Sequence, residues 1–85
     1  MREITFFGAA RRYYAQMSDA ERATLDLCLR RLERDPAPDG VTTFSIPGIP
    51  DFFLYDDGAW RMAYTVPDAV TVIIRSIAHA LDLPA

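Results

Sequence analysis

Two arginines in the C-terminal half of the chain, Arg61 and Arg75, are the side chains best suited to bind an anion. A guanidinium group presents a planar fork of N–H donors that matches two oxygens of a phosphate. Phe53 and Tyr55 share one side of a neighbouring predicted strand, and rings placed beside such a pair favour the stacking of nucleic-acid bases. His79 follows the second arginine, and an imidazole can transfer a proton near neutral pH. These residue types therefore fit a site for a phosphate and an unpaired base.

The same side chains also have purely structural interpretations. Two of nine arginines often meet by chance, and Asp51, Asp57 or Asp82 would then neutralise them. A lone histidine is more often structural than chemical. Cys28 lies in the apolar stripe of a predicted helix, so we interpret it as a buried hydrophobic side chain. With one cysteine and one histidine in the chain, we expect no disulfide framework and no metal site built on these ligands.

Length and charge narrow the class of protein. The 85 residues suffice for a single domain, residues 1–85, with one core. Nine arginines and no lysines face twelve acids, and the net charge of −3 disfavours a general nucleic-acid coat protein. No apolar run approaches the roughly 20 residues that span a bilayer, and the N-terminus has no long apolar signal region. We therefore expect a reduced, cytoplasmic protein without a membrane partner.

The N-terminal half changes from strand to helix periodicity. The β-branched and aromatic residues of Arg2–Phe7 predict a strand. Apolar residues recur at helical spacing over Ala9–Met17, which predicts a first helix. A second helix is predicted from Asp19 to about Arg34, because Ser18 and Glu21 have the spacing of a capping box.

Every predicted element after Gly40 is a strand. The runs are Val41–Ile46, Asp51–Tyr55, Trp60–Val66 and Val70–Ile77. The order β-α-α-β-β-β-β predicts an α+β fold in which a helical hairpin packs on one face of a mostly antiparallel sheet. The residues that we expect this packing to bury are Tyr13, Leu25, Leu29, Leu32, Trp60, Met62, Tyr64, Val72 and Ile74.

The last two strands can be aligned by their apolar faces. Alternate residues are apolar or aromatic in Trp60–Val66 and in Val70–Ile74, so pairing the end of the first with the start of the second buries both sets together. This register places Arg61 directly opposite Arg75 on the other face. Like charges across a ladder are unfavourable by some tenths of a kcal/mol. The pair therefore predicts either neighbouring acids or a bound anion.

Charge is divided unevenly along the chain. Residues 1–34 carry a net charge of +2 and residues 35–85 carry −5. Arg12, Arg30, Arg31 and Arg34 lie on the predicted helical hairpin. They are either a solvated face, partly favoured by the helix dipole, or contacts for an acidic partner.

The order of the elements, together with the last hairpin, resembles the RelE/ParE superfamily, the toxins of type II toxin–antitoxin modules. The resemblance covers nearly the whole chain, from Ile4 to Asp82. Its most specific part is Trp60–Val66, which is similar to a family strand of a Tyr or His, an Arg, an aliphatic pair, then Tyr and Val. Asp68 and the segment Val72–Ile77 resemble the next turn and strand.

This resemblance implies one of two activities. RelE-like and YoeB-like members cleave ribosome-bound mRNA without a metal or cofactor. The 2′-hydroxyl of the RNA attacks the adjacent phosphate, an acid–base pair transfers protons, and an arginine holds the pentavalent phosphate. ParE-like members inhibit DNA gyrase and perform no known chemistry. In both groups an antitoxin wraps around the toxin and neutralises it.

The family's site residues match this sequence in part. Arg61 matches the phosphate-contacting arginine of the nuclease branch, and His79 falls at the catalytic histidine of the YoeB-like ending, where Ala80 replaces the tyrosine that follows. On the ParE-like pattern, Arg75 matches an arginine and Asp82 completes the match.

The resulting expectation is an mRNA endoribonuclease with two catalytic residues, Arg61 and His79. Its RNA-binding residues are Arg75, Phe53 and Tyr55, and its antitoxin contacts are Arg12, Arg30, Arg31 and Arg34. Two alternatives remain open. One is a non-catalytic toxin that binds DNA gyrase, and the other is a degenerate member that acts only as a binding module with its antitoxin.

Overall fold

The computed structural model describes residues 2–79 as one strand, two helices and four further strands. The elements are β1 (Glu3–Phe6), α1 (Gly8–Gln16), α2 (Asp19–Arg34), β2 (Thr43–Ile46), β3 (Ile49–Asp56), β4 (Trp60–Thr65) and β5 (Thr71–His79). The strands form a single sheet in the order β1-β5-β4-β3-β2. The β1–β5 pair is parallel, and the other three described pairs are antiparallel. The predicted α+β class and element order are confirmed.

Local hydrogen bonds explain where two of the elements begin. The Ser18 hydroxyl accepts the Glu21 N–H at 3.2 Å, and the Glu21 carboxylate accepts the Ser18 N–H at 3.0 Å, so α2 begins with the predicted capping box. The Asp39 Oδ1 atom accepts the N–H groups of Val41, Thr42 and Thr43 at 2.8–3.0 Å. This turn delays β2, which begins at Thr43 rather than at Val41.

The hydrophobic core lies between the helices and one face of the sheet. The predicted core residues found buried are Leu25, Leu29, Leu32, Trp60, Met62, Tyr64, Val72 and Ile74. Tyr13 is half-buried against this cluster. The Tyr64 hydroxyl donates to the Pro36 carbonyl oxygen at 2.7 Å, which satisfies the polar atom of a fully buried side chain. Within residues 2–79, neither helix is long and apolar enough to cross a membrane.

The predicted register of the last hairpin is wrong. Tyr64 pairs with Ile74, and Arg61 pairs with Ala78 rather than with Arg75. The slip near the loop is two residues, so the apolar residues of β4 still face the core.

Two features of the β4–β5 hairpin explain the slip. The Asp68 carboxylate accepts the Val70 N–H at 2.9 Å, which extends the connecting turn and leaves the Val70 side chain exposed. A bulge then falls between Ala63 and Tyr64 of β4, and Arg75 is the extra residue on the β5 side. A bulge inserts a residue without leaving an apolar pattern that sequence could reveal.

Candidate functional site

Arg61 lies on the face of the sheet that the helices do not cover, which we call the open face. Its side chain is 61% exposed, and its Nε atom lies 3.0 Å from Oδ2 of Asp56, the residue directly opposite on β3. Both residues line a cleft of about 290 Å³ over β3, β4 and β5. Leu54, Ala63, Ser76 and Ala78 complete much of its wall. The cleft therefore combines an apolar floor with one charged pair.

Arg75 lies on the same face but does not join Arg61. Its Nε donates to the Thr65 hydroxyl at 3.3 Å, and its guanidinium carbon lies 4.7 Å from the centre of the Phe7 ring. Thr65 is four residues from Arg61 along β4, or about 13 Å at the rise of a strand. The expectation that the two guanidinium groups face each other across the ladder is corrected here, because the bulge moves Arg75 towards α1.

His79 lies on the opposite side of the sheet from Arg61. It pairs with Trp60, and the two rings meet edge to face with their centres 4.5 Å apart. Trp60 is 2% exposed and belongs to the core face. Successive residues of a strand point to opposite faces, and paired residues of neighbouring strands share a face. His79, which pairs with Trp60, and Arg61 are therefore on opposite faces of the sheet. The sequence expectation that both converge on one phosphate does not hold in this geometry.

Phe53 and Tyr55 are on the core face rather than on the open face. The Phe53 ring lies 5.4 Å from the Tyr64 ring, and Tyr55 is 3% exposed. The predicted stacking platform for bases is therefore wrong. Residues 52–55 are all apolar or aromatic, so the sequence does not show which of them face the core. Leu54, which is 44% exposed and pairs with Ala63, lines the cleft with Arg61 instead.

A polar cluster lies behind the β3–β4 turn. The Asp57 carboxylate accepts the Tyr55 hydroxyl at 2.8 Å, the Cys28 thiol at 3.3 Å, and the N–H groups of Ala59 and Trp60 at 2.9 and 2.7 Å. Burial raises the pKa of Cys28 to about 11, so the thiol stays protonated at neutral pH. This agrees with the interpretation of Cys28 as a buried structural residue.

The four helical arginines predicted to bind an acidic partner are all exposed. Arg31 is held by Asp39, with 2.8 Å between Nη2 and Oδ2. The other three, Arg12, Arg30 and Arg34, lie on the outer surfaces of α1 and α2. Ala80, which replaces the tyrosine of the YoeB-like ending, and Asp82, which matches the ParE-like pattern, lie outside the described residues.

Sequence reasoning missed Asp56, because it treated this residue as part of a turn signal. The length of the turn would have revealed its pairing with Arg61. The N–H of Asp57 donates to the Trp60 carbonyl and closes the turn, so Asp56, just before it, lies opposite Arg61, just after it. Within residues 2–79, no group of three His, Cys, Asp or Glu side chains is arranged to hold a metal ion.

No protein-family model matches the sequence, and no curated protein matches it.

The architecture does have relatives among solved structures. The isolated RelE toxin of E. coli superposes with a TM-score of 0.74 at 18% identity, over 94% of this chain and 85% of that one. A chain of the RelBE2 toxin–antitoxin complex from Mycobacterium tuberculosis gives 0.69 at 21%, over 92% and 96%. The YoeB dimer from Staphylococcus aureus gives 0.71 at 21%, over 92% and 95%. The arrangement of strands and helices described above is therefore the fold of the RelE and YoeB toxins.

Proposed function

We propose that this protein is the toxin of a type II toxin–antitoxin module and that it cleaves ribosome-bound mRNA. Support comes first from the fold, since the similar structures are toxins or a toxin–antitoxin complex. The observation that carries the nuclease proposal is the position of Arg61. It stands exposed at the rim of a cleft on the open face, in the strand that resembles the family's arginine-bearing strand.

Arg61 has the chemistry that cleavage through a cyclic phosphate requires. The nucleophile is the 2′-hydroxyl of the RNA, so the protein need only hold the phosphate and move protons. A guanidinium group can donate two parallel N–H bonds to a phosphate and stabilise the charge that builds up in the pentavalent state. Removing such a donor typically costs a few kcal/mol of transition-state stabilisation, or 100-fold or more in rate.

The proposed partner and cellular location follow from the assignment of the protein as a toxin. An antitoxin bearing acidic side chains would contact the exposed arginines of the helices, which belong to the positively charged part of the chain. A toxin directed at ribosomes acts in the cytoplasm, so we place the protein there.

Induced expression in a bacterial host tests this proposal. Wild type should arrest growth, stop protein synthesis in pulse labelling and produce cleaved mRNA. Arg61→Ala should lose these effects, while Arg30→Ala, an arginine on the helical surface, should keep them. If Arg61→Ala and wild type cleave mRNA and arrest growth alike at equal protein levels, the assignment of Arg61 is wrong.

The position of His79 favours a second candidate, a non-catalytic toxin that binds DNA gyrase. The ring of His79 packs on Trp60 and away from Arg61, so no imidazole serves the cleft. The net charge of −3 also suits a protein target better than an RNA. The same pulse labelling separates the two candidates. Loss of DNA synthesis with filamentation, and with translation intact, would indicate gyrase.

A further inference from the structure

Cleavage by the 2′-hydroxyl needs a proton acceptor close to the phosphate. His79 is on the other face of the sheet. Among the described side chains that line the cleft, only Tyr55, Asp56 and Arg61 can titrate. Tyr55 donates its hydroxyl proton to Asp57 behind the sheet, and burial raises its pKa well above the usual value. Asp56 is therefore the acceptor that the cleft provides.

The structure holds Asp56 in a fixed position beside Arg61. Its N–H donates to the Thr42 carbonyl at 2.8 Å, and its Oδ1 atom accepts the Gly58 N–H at 3.0 Å. Its Oδ2 atom lies 3.0 Å from Nε of Arg61. This ion pair engages the Nε atom of an arginine side chain that is 61% exposed, so Nη1 and Nη2 would be the donors to a phosphate in the cleft. A ribose 2′-oxygen next to that phosphate would lie near the carboxylate.

We propose that Asp56 is the general base of the cleavage reaction, an inference that rests on the proposed nuclease function. The carboxylate takes the proton of the 2′-hydroxyl as the 2′-oxygen forms its bond to phosphorus. The bond from phosphorus to the 5′-oxygen breaks, and that oxygen takes a proton from solvent water. The hydroxide left behind is neutralised by the proton on Asp56. The products are a 2′,3′-cyclic phosphate and a 5′-hydroxyl end.

Two measurements on purified proteins test this role. The first is single-turnover cleavage of mRNA on ribosomes, with analysis of the product ends. The second is binding of the same mRNA carrying a 2′-deoxynucleotide at the cleavage position, which removes the nucleophile. Asp56→Asn should slow cleavage by about 100- to 10,000-fold, the usual range for a lost general base. It should bind the deoxy substrate as well as wild type or more tightly, because a negative charge near the phosphate is removed.

Matched variants separate the base from its neighbours. Arg61→Ala should lose both cleavage and binding of the deoxy substrate. Asp51→Asn, the same change at an exposed position of the same strand, should leave both unchanged. Asp56→Glu keeps a carboxylate and should recover part of the rate, which guards against a loss caused by misfolding alone.

Four outcomes would overturn the inference. Cleavage by Asp56→Asn at the wild-type rate would remove the role of Asp56 and leave the nuclease proposal intact. Faster cleavage would mean that the carboxylate competes with the phosphate for Arg61. Loss of deoxy-substrate binding together with cleavage would make Asp56 a positioning residue for Arg61. Absence of cleavage by wild type would overturn both the nuclease proposal and this one.

Discussion

The cluster of Cys28, Tyr55 and Asp57 connects helix α2 to the β3–β4 turn through hydrogen bonds, and two of its three side chains, Cys28 and Tyr55, are buried. The thiol and the phenol both donate to one carboxylate oxygen. Burial of the Asp57 carboxylate opposes its ionisation, but the N–H groups of Trp60 and Ala59 and the Tyr55 hydroxyl lower its pKa overall. The cluster is therefore an anion surrounded by four donors, and it fixes the turn that carries Asp56 and Arg61 at its base.

We predict that this cluster makes the protein sensitive to alkaline pH. The folded state raises the pKa of Cys28 from 9.0 to about 11, so it holds the thiol proton more tightly than the unfolded chain does. The associated stability is complete below about pH 9 and is lost as pH rises towards 11. Urea denaturation at pH 7, 9 and 10.5 measures this loss. Cys28→Ala should start less stable but decline less steeply, and equal slopes for the two proteins would contradict the assignment.

The sequence predicts the positions of some site residues better than those of others. The face of Arg61 could be predicted, because every second residue of its strand is large and apolar and must be buried. The faces of Phe53 and Tyr55 could not, because β3 is apolar on both sides. The position of Asp56 could have been predicted from the number of residues in the β3–β4 turn. The pairing of Asp56 with Arg61 is thus determined by the length of that turn and not by the residue types.

At the scale of the elements, helix α2 contributes four buried side chains to the core, and its buried and exposed faces allow a matched test. Leu29 is 6% exposed, whereas Leu27 on the same helix is 65% exposed. We predict that Leu29→Ala lowers the free energy of unfolding by about 2–5 kcal/mol, since it removes buried methylene groups and leaves a cavity. Leu27→Ala should change it by no more than about 0.5 kcal/mol.

Chemical denaturation of the two leucine variants measures both values. A midpoint for Leu29→Ala that matches that of wild type would contradict the packing of α2 on the sheet. A large loss for Leu27→Ala would mean that its side chain is buried in solution, against another part of the chain or against a second molecule.

The bounds of α2 could be predicted from the sequence, whereas the pairing of β4 with β5 could not. Its bounds, Asp19–Arg34, agree with the sequence prediction, because a capping box and two following prolines are local signals. The register of β4 against β5 could not be predicted in the same way. It depends on a bulge at Arg75, which leaves no apolar pattern in the sequence, and on the turn in which the Asp68 carboxylate accepts the Val70 N–H.

At the scale of the whole molecule, the charge division of the sequence becomes a division in space. Residues 1–34, which include β1, α1 and α2, carry the excess of arginines, and the excess of acids lies after them, mostly in the segments that connect the elements. Three described ion pairs join opposite charges, and one of them, between Arg31 and Asp39, links α2 to the acidic half. The outer surface of the helices remains positive, while the RNA-facing cleft proposed here holds a balanced pair. The positive surface of the helices therefore favours an acidic partner.

We predict that a cognate antitoxin with acidic side chains binds this helical surface. Changing Arg12, Arg30 and Arg34 together to Glu should weaken binding at least about tenfold, since each exposed pair contributes about 0.2–1 kcal/mol and reversal adds repulsion. The wild-type affinity should also fall with rising salt, because these charges are screened. Arg61→Glu, a reversal on the open face, is the control and should bind like wild type. If calorimetry shows the control weakened and the triple variant unaffected, the antitoxin covers the open face instead, and the positive helices have another role.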